Sequence, residues 1–227
     1  MEVPRYAIYY TPAADHELTI AAARWLGRDA YTGEAITRSI AADFEFDLDS
    51  VTDSPRHYGF HATLKAPFEL AEGKTEQSLL TALDALCAKS MSFEVTLHPD
   101  LIGNFLAMRL VEPSDAMTDL HTRCVKEFDE FRAPLSEYDL ARRRKAPLTE
   151  AQDERLVGWG YPYIFDEFRF HMTLTSNIKD DNLRDHLIKL LRAQFGEVNI
   201  LVDGVAVFYQ QSRDADFRIL KRGAFTS

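Results

Sequence analysis

The sequence predicts an α+β fold with largely antiparallel strands, and three observations lead there. Strand-like runs and helical-period runs are mixed, without the strict strand–helix alternation of a parallel sheet. Neighbouring strand-like runs are often joined by short turns, which antiparallel pairing allows and parallel pairing does not. No Pro/Gly/Ser-rich linker interrupts the 227 residues, of which 46% are hydrophobic and 27% charged. A chain of that length and composition can bury a sizeable core, so we read residues 1–227 as one bilobal unit.

The elements follow in order. Arg5 to Thr11 is rich in Tyr and Ile and predicts a first strand, stopped by Pro12. Asp15 is placed to cap a helix whose apolar positions are Leu18, Ala22, Trp25 and Leu26. Residues 28–55, with an acidic run from Asp43 to Asp53, read mostly as loop. His57 to Leu70 predicts a strand leading out through Pro67, and Thr75 then opens a helix with Leu79, Leu80, Leu83, Leu86 and Cys87 on one face. Ser92 to His98 and Leu101 to Val111 predict two strands joined at Pro99-Asp100. Ser114 caps a helix that buries Met117, Leu120, Cys124, Phe128 and Phe131. Pro134 to Pro147 breaks the pattern. Thr149 and Gln152 make a capping box for a short helix ending near Gly158 and Gly160. Phe168 to Thr175 predicts a strand, Asp180 to Phe195 a helix closed by Gly196, and Asn199 to Tyr209 and Phe217 to Arg222 the last two strands.

Two of these segments repeat. Phe60-His61-Ala62-Thr63-Leu64-Lys65 matches Phe170-His171-Met172-Thr173-Leu174-Thr175, 110 residues later. The spacing predicts two related lobes, with motifs near 57–65 and 168–175, each contributing one His-x-Thr. Alternation along a strand puts His57, His61, Thr63 and Lys65 on one face of the first copy, and Arg169, His171, Thr173 and Thr175 on one face of the second. The opposite faces are apolar and pack against helices. A face lined with His, Thr, Lys and Arg is costly to bury unless it meets water or a ligand.

Such a face suits phosphoryl chemistry. Neutral imidazole removes a proton from water and imidazolium protonates a leaving oxygen, both near neutrality given an ordinary pKa of ~6.5. A Thr two residues on lies roughly 6.5–7 Å along the strand, so His and Thr can grip one phosphate from the same side. Two copies supply an acid, a base and two hydroxyl donors. His57 and His61, four residues apart on a strand, would stand roughly 13 Å apart, too far to share a metal ion.

The two His-x-Thr-Leu stretches resemble the paired signature of the 2H phosphoesterase superfamily, which includes cyclic phosphodiesterases of tRNA splicing and bacterial RNA 2′,3′-cyclic phosphodiesterases. The flanks, Arg56-His57-Tyr58-Gly59 and Trp159-Gly160-Tyr161-Pro162-Tyr163, resemble a narrower branch whose members are often encoded beside phosphonate-utilisation genes. The resemblance implies a pseudo-twofold α+β fold, with two antiparallel sheets facing a central cleft and helices outside. It implies hydrolysis of a phosphodiester without metal or other cofactor. It implies that His61 and His171 are the acid and base and that Thr63 and Thr173 hold the phosphate.

Further candidates line up around these four. Lys65 and Arg169 fall on the motif faces and are expected to touch the ligand. Arg143 and Arg144, in the basic run Arg142 to Lys145, are candidates for a second phosphate or a leaving group, and Tyr161 for stacking on a base or sugar. Tyr9 reads as core or cleft wall.

The formal charge of −10 argues against long nucleic acid as a partner and leaves room for a local anion pocket. The expected partner is a small phosphorylated substrate, either a sugar or a nucleotide. An RNA 2′,3′-cyclic end and a non-catalytic phosphometabolite module are the competing readings. Lone Cys87 and Cys124, no signal peptide and no apolar run of ~20 residues predict a cytoplasmic protein away from membranes.

Overall fold

A computed structural model describes residues 3–38 and 46–226. Eight strands form one sheet: β1 (Arg5–Tyr10), β2 (Ala62–Glu69), β3 (Phe93–Ile102), β4 (Phe105–Leu110), β5 (His171–Thr173), β6 (Val198–Val202), β7 (Gly204–Gln210) and β8 (Arg218–Ala224). Their order is β6-β3-β4-β5-β2-β1-β7-β8, and every pairing is antiparallel. The two expected sheets are therefore two four-stranded halves of a continuous one. They meet at a narrow seam, where β2 and β5 pair through Ala62 and Met172.

The halves interleave in sequence. One is built from both ends of the chain, β2-β1-β7-β8, and the other from its middle, β6-β3-β4-β5. Among the described residues seven α-helices accompany them: α1 (Glu17–Leu26), α2 (Leu48–Tyr58), α3 (Glu76–Cys87), α4 (Asp115–Glu127), α5 (Glu137–Arg143), α6 (Glu150–Trp159) and α7 (Asp181–Phe195). Helices α3, α4 and α7 pack on one face of the sheet, over a core that includes Ile8, Leu64, Leu83, Met108, Met172 and Leu187. Trp25 of α1 donates its indole N–H to the Leu174 carbonyl at 2.8 Å, tying the first helix to the far half. No helix among the described residues is long and apolar enough to cross a membrane.

Several boundaries differ from the sequence reading. His16, not Asp15, caps α1, its Nδ1 accepting from the Leu18 amide. Part of the expected loop before Pro55 is α2, capped by Asp47, with Asp49, Ser50, Asp53 and Ser54 outward, Thr52 buried, and Leu48 and Val51 in the core. Residues 39–45 of that loop lie outside the described residues. Because α2 runs to Tyr58, His57 belongs to a helix end and not to the motif strand. The β3–β4 turn sits at Gly103, where φ is 56°, rather than at Pro99-Asp100, which pair inside the ladder. The break after Pro134 contains α5, capped by Ser136.

Candidate active site

The seam places both motifs together. Ala62 pairs with Met172, so continuing the register by one residue sets His61 across from Thr173 and His171 across from Thr63. Directly opposed residues share a face at Cβ separations of about 4.5–5.5 Å. Alternation then gives a four-member grid of two imidazoles and two hydroxyls on the face away from the helices. Ala62, Leu64, Met172 and Leu174 are buried on the other side.

Each imidazole is held by the same contact. Gly59 ends α2 at φ 78°, and a Cβ there would lie 2.6 Å from the Ala30 Cβ, so the turn requires glycine. That turn brings the Gly59 carbonyl to 2.9 Å from His61 Nδ1. The Arg169 carbonyl lies 2.7 Å from His171 Nδ1. A carbonyl only accepts, so in both rings Nδ1 carries the proton and Nε2 presents its lone pair. His61 Nε2 stands 3.4 Å from the Thr63 hydroxyl, which donates to it.

The surroundings of the two rings differ. Tyr9, opposite Thr63 on β1, stacks on His61 with centroids 3.8 Å apart and planes at 21°. Tyr9, Ala7, Ala30, Ala206, Phe208 and Phe217 make a second small core beneath the first motif. Burial, with a lesser push from His171, lowers the His61 pKa to about 4. His171 has Phe105 at 5.7 Å and Arg109 across the β4–β5 ladder. Its pKa is also lowered, first by burial and then by the charge of Arg109. Both rings are therefore neutral at pH 7 before any anion arrives.

Two recesses open on the grid. One, of about 260 Å³, is lined by His61, Thr63 and Thr173 with Arg5, Tyr9, Tyr58, Arg142, Arg143 and Tyr161. The other, of about 570 Å³, holds His171 and Thr63 among Ile102, Phe105, Tyr161, Tyr163, Ile164 and Phe168. Tyr161 and Thr63 border both. The first is cationic, the second largely apolar.

The remaining predicted residues divide. Arg143 lines the cationic recess, its guanidinium 5.0 Å over the Tyr161 ring. Arg169 borders the apolar recess with its side chain exposed.

Lys65 is not in the cleft. Tyr9 pairs with Thr63 and Ile8 with Lys65, so two β2 residues oppose one step of β1. This bulge reverses the alternation after Thr63. Lys65 turns under α4, 3% exposed, where its ammonium donates to Asp129 Oδ1 and the Val125 carbonyl, both at 2.9 Å. Ala66 takes its expected place at the cleft. Thr175 is likewise buried, its hydroxyl accepting from the Leu106 amide. Arg144 also points elsewhere, forming a two-pronged pair with Asp153 at 2.7 and 2.8 Å in solvent.

Arg5, Tyr58, Phe105 and Arg109 escaped the sequence reading, and Tyr9 was read only as core or wall. A signal existed for two of them. Period two in Arg5-Tyr6-Ala7-Ile8-Tyr9-Tyr10 puts Arg5, Ala7 and Tyr9 on one face and Tyr6, Ile8 and Tyr10 in the main core.

The sequence family described as "Protein of unknown function (DUF1045)" matches residues 63–218. The chain belongs to this family. The match takes in Thr63, His171 and Thr173 and begins two residues beyond His61. Curated relatives of this DUF1045 protein include the ribose 1,5-bisphosphate phosphokinase PhnN of Janthinobacterium sp. (strain Marseille). It is 44% identical over 175 residues, covering 75% of this chain and 38% of that protein. The PhnN of Laribacter hongkongensis (strain HLHK9) is 32% identical over 220 residues, covering 96% of this chain and 51% of that one. The chain thus spans about half or less of the relatives it matches. Solved structures with a similar course include E. coli LigT complexed with 3′-AMP, at TM-score 0.49, 14% identity and full coverage of both chains. TT0787 of Thermus thermophilus follows at TM-score 0.47 and 12% identity over 97% of each.

Proposed function

We propose that this DUF1045 protein is a metal-independent phosphodiesterase of the 2H type that hydrolyses a small cyclic phosphate, with His61 as general base and His171 as general acid. The observation that carries this reading is the grid of two imidazoles and two hydroxyls across the β2–β5 seam. Thr63 and Thr173 donate to the nonbridging oxygens. His61, neutral down to about pH 4, takes a proton from water through Nε2 as the water oxygen attacks phosphorus. The bond from phosphorus to one ring oxygen breaks, and that oxygen takes a proton from His171 Nε2. The bound phosphate's negative charge raises the His171 pKa and so loads this ring for the second task. One water is consumed and the cyclic diester opens to a monoester.

The relatives' name guides the choice of substrate. Their kinase activity is assigned to the half outside the match, because this chain has no Gly-x-x-x-x-Gly-Lys phosphate-binding loop. A diesterase joined to a ribose 1,5-bisphosphate kinase would supply its substrate. The ester that opens to ribose 1,5-bisphosphate is the 1,2-cyclic phosphate of ribose 5-phosphate, which fits a role in phosphonate metabolism. A second reading, a nucleotide or RNA 2′,3′-cyclic end, is favoured by the aromatic recess beside His171, whose Tyr161, Tyr163 and Phe168 could stack on a base.

Turnover of ribose 1,2-cyclic phosphates, 2′,3′-cyclic nucleotides and a short RNA with a cyclic end, measured in EDTA, tests both readings. Hydrolysis of a ribose ester in preference to the others is expected. If His61→Ala and His171→Ala both keep near-normal turnover on the best substrate, the mechanism is wrong.

A further inference from the structure

The cationic recess holds an anomaly. The chain carries 36 acidic and 26 basic residues, and most cations near the cleft have a carboxylate partner. Arg142 and Arg213 share Asp139, Arg109 meets Asp100, and Arg144 meets Asp153. Arg5 and Arg143, among the described residues, do not. Among the described residues, three arginines and no Asp or Glu line this recess.

Arg5 is held by a neutral group. Its Nε donates to Gln210 Oε1 at 2.8 Å, and its Nη2 reaches the same oxygen. Gln210 is fully buried. Its amide nitrogen is 2.7 Å from the Ala215 carbonyl and 3.1 Å from His57 Nε2, and His57 Nδ1 is 2.9 Å from Asp216. This chain of contacts aims a guanidinium without neutralising it. The Arg143 side chain has no hydrogen bond or ion pair among the described residues. Its Nε is buried and unpartnered, and the Tyr161 ring covers one side of its guanidinium. Burial lowers the pKa of both arginines, and on Arg143 the charges of Arg142 and then Arg5 add to that effect against the opposing pull of Tyr161 and Asp139. Two aimed, partly desolvated and mutually repelling guanidinium groups are costly unless an anion joins them.

We propose that Arg5 and Arg143 form a second anion site, distinct from the grid, that binds a phosphomonoester carried by the same substrate. This rests on the diesterase reading and narrows its substrate class to cyclic phosphates bearing a second phosphate. Arginine suits the task because its planar fork meets two phosphate oxygens at once. The C-terminal end of α5, with Arg142 and Arg143, and the start of β1 thereby acquire a specificity role, while the grid does the chemistry.

Two experiments test this. In the first, wild type, Arg143→Gln and Arg5→Gln are assayed on ribose 1,2-cyclic phosphate with and without a 5-phosphate. Wild type is expected to prefer the 5-phosphorylated ester by at least about 10²-fold in kcat/KM, mostly through KM, since charged hydrogen bonds contribute about 1.5–3 kcal/mol each. Each variant should lose at least tenfold more on that ester than on its partner, and Arg143→Lys should recover part. Equal losses on both esters, or no wild-type preference, would overturn the proposal. The second experiment is calorimetry with ribose 5-phosphate, which does not depend on turnover. Binding by wild type and by His171→Ala, weakened in Arg143→Gln, supports the site even if neither ester is hydrolysed. No binding by wild type, or undiminished binding by Arg143→Gln, removes it whatever the diesterase assay shows.

Discussion

The two His-x-Thr motifs are nearly the same in sequence and differ in their surroundings. Around His61 the open face of the sheet is closed over. Tyr9 lies flat against the ring, and Phe208 and Phe217 pack behind Tyr9. Around His171 the corresponding face carries an ion pair, Arg109 with Asp100 at 2.5 Å, and an apolar recess open to solvent. Identical backbone contacts at Nδ1 give both rings the same tautomer. The neighbours then set how far each is desolvated and what lies beside it. A repeated motif thus supplies two equivalent groups, and the two halves of the sheet make them unequal. Unequal groups are what an acid–base pair needs.

The strongest way to break this comparison is to remove each imidazole. His61→Ala and His171→Ala are each expected to lower turnover on the best cyclic phosphate by about 10²–10⁴-fold, measured as kcat. If the imidazoles are unequal, the two variants differ in pH profile: each loses a different limb of the bell. The same limb lost in both would mean that the rings are interchangeable.

Removing the hydroxyls comes next. Thr63→Ala and Thr173→Ala should each cost about 10²-fold in kcat, the size expected for one donor to developing charge on a transition-state oxygen. A loss confined to KM would make them binding groups only.

A subtler test sharpens the difference in burial. The wild-type kcat/KM should fall as pH drops through about 4, because the base must be neutral and burial holds His61 at that value. Tyr9→Ala admits water to the ring, so the acidic limb should move up toward the ordinary ~6.5. Phe105→Ala, beside His171, should leave the acidic limb in place. If both substitutions move it equally, the stacking by Tyr9 has no special role.

The smallest effect is on stability. His121 is 2% exposed, stacks on Phe168 at 3.8 Å, and has its pKa lowered to about 4 by burial. The unfolded chain binds this proton below about pH 6.5 and the folded one only below about 4, so stability falls as pH drops across that window. The contribution is up to about 3 kcal/mol, at about 1.4 kcal/mol per pH unit. His121→Phe should flatten the dependence of urea midpoints on pH between 6.5 and 4 by a measurable part of that. An unchanged slope would show that His121 titrates in the folded protein as it does in the unfolded chain.

Local patterns in the chain were enough for the α+β class, for the helix starts at Thr75, Ser114 and Thr149 and for the four groups of the grid. Each depends on spacing along the backbone: period two for strand faces, a hydroxyl three residues from an amide for a cap, and a repeat for the paired motif. Other features required the folded chain. The bulge after Thr63 turned Lys65 into the core, since one extra residue in a ladder moves the side chain that follows it to the other face. Arg5 and Arg143 meet in one recess although 138 residues separate them, because β1 lies beside β2 and the segment leading into α5 bonds to the end of β2, the Ala133 amide donating to the Glu69 carbonyl. The seam between Ala62 and Met172 joins two halves that no local pattern pairs. The inequality of His61 and His171 comes from Tyr9 and Arg109, which reach those rings only through strand pairing across the sheet.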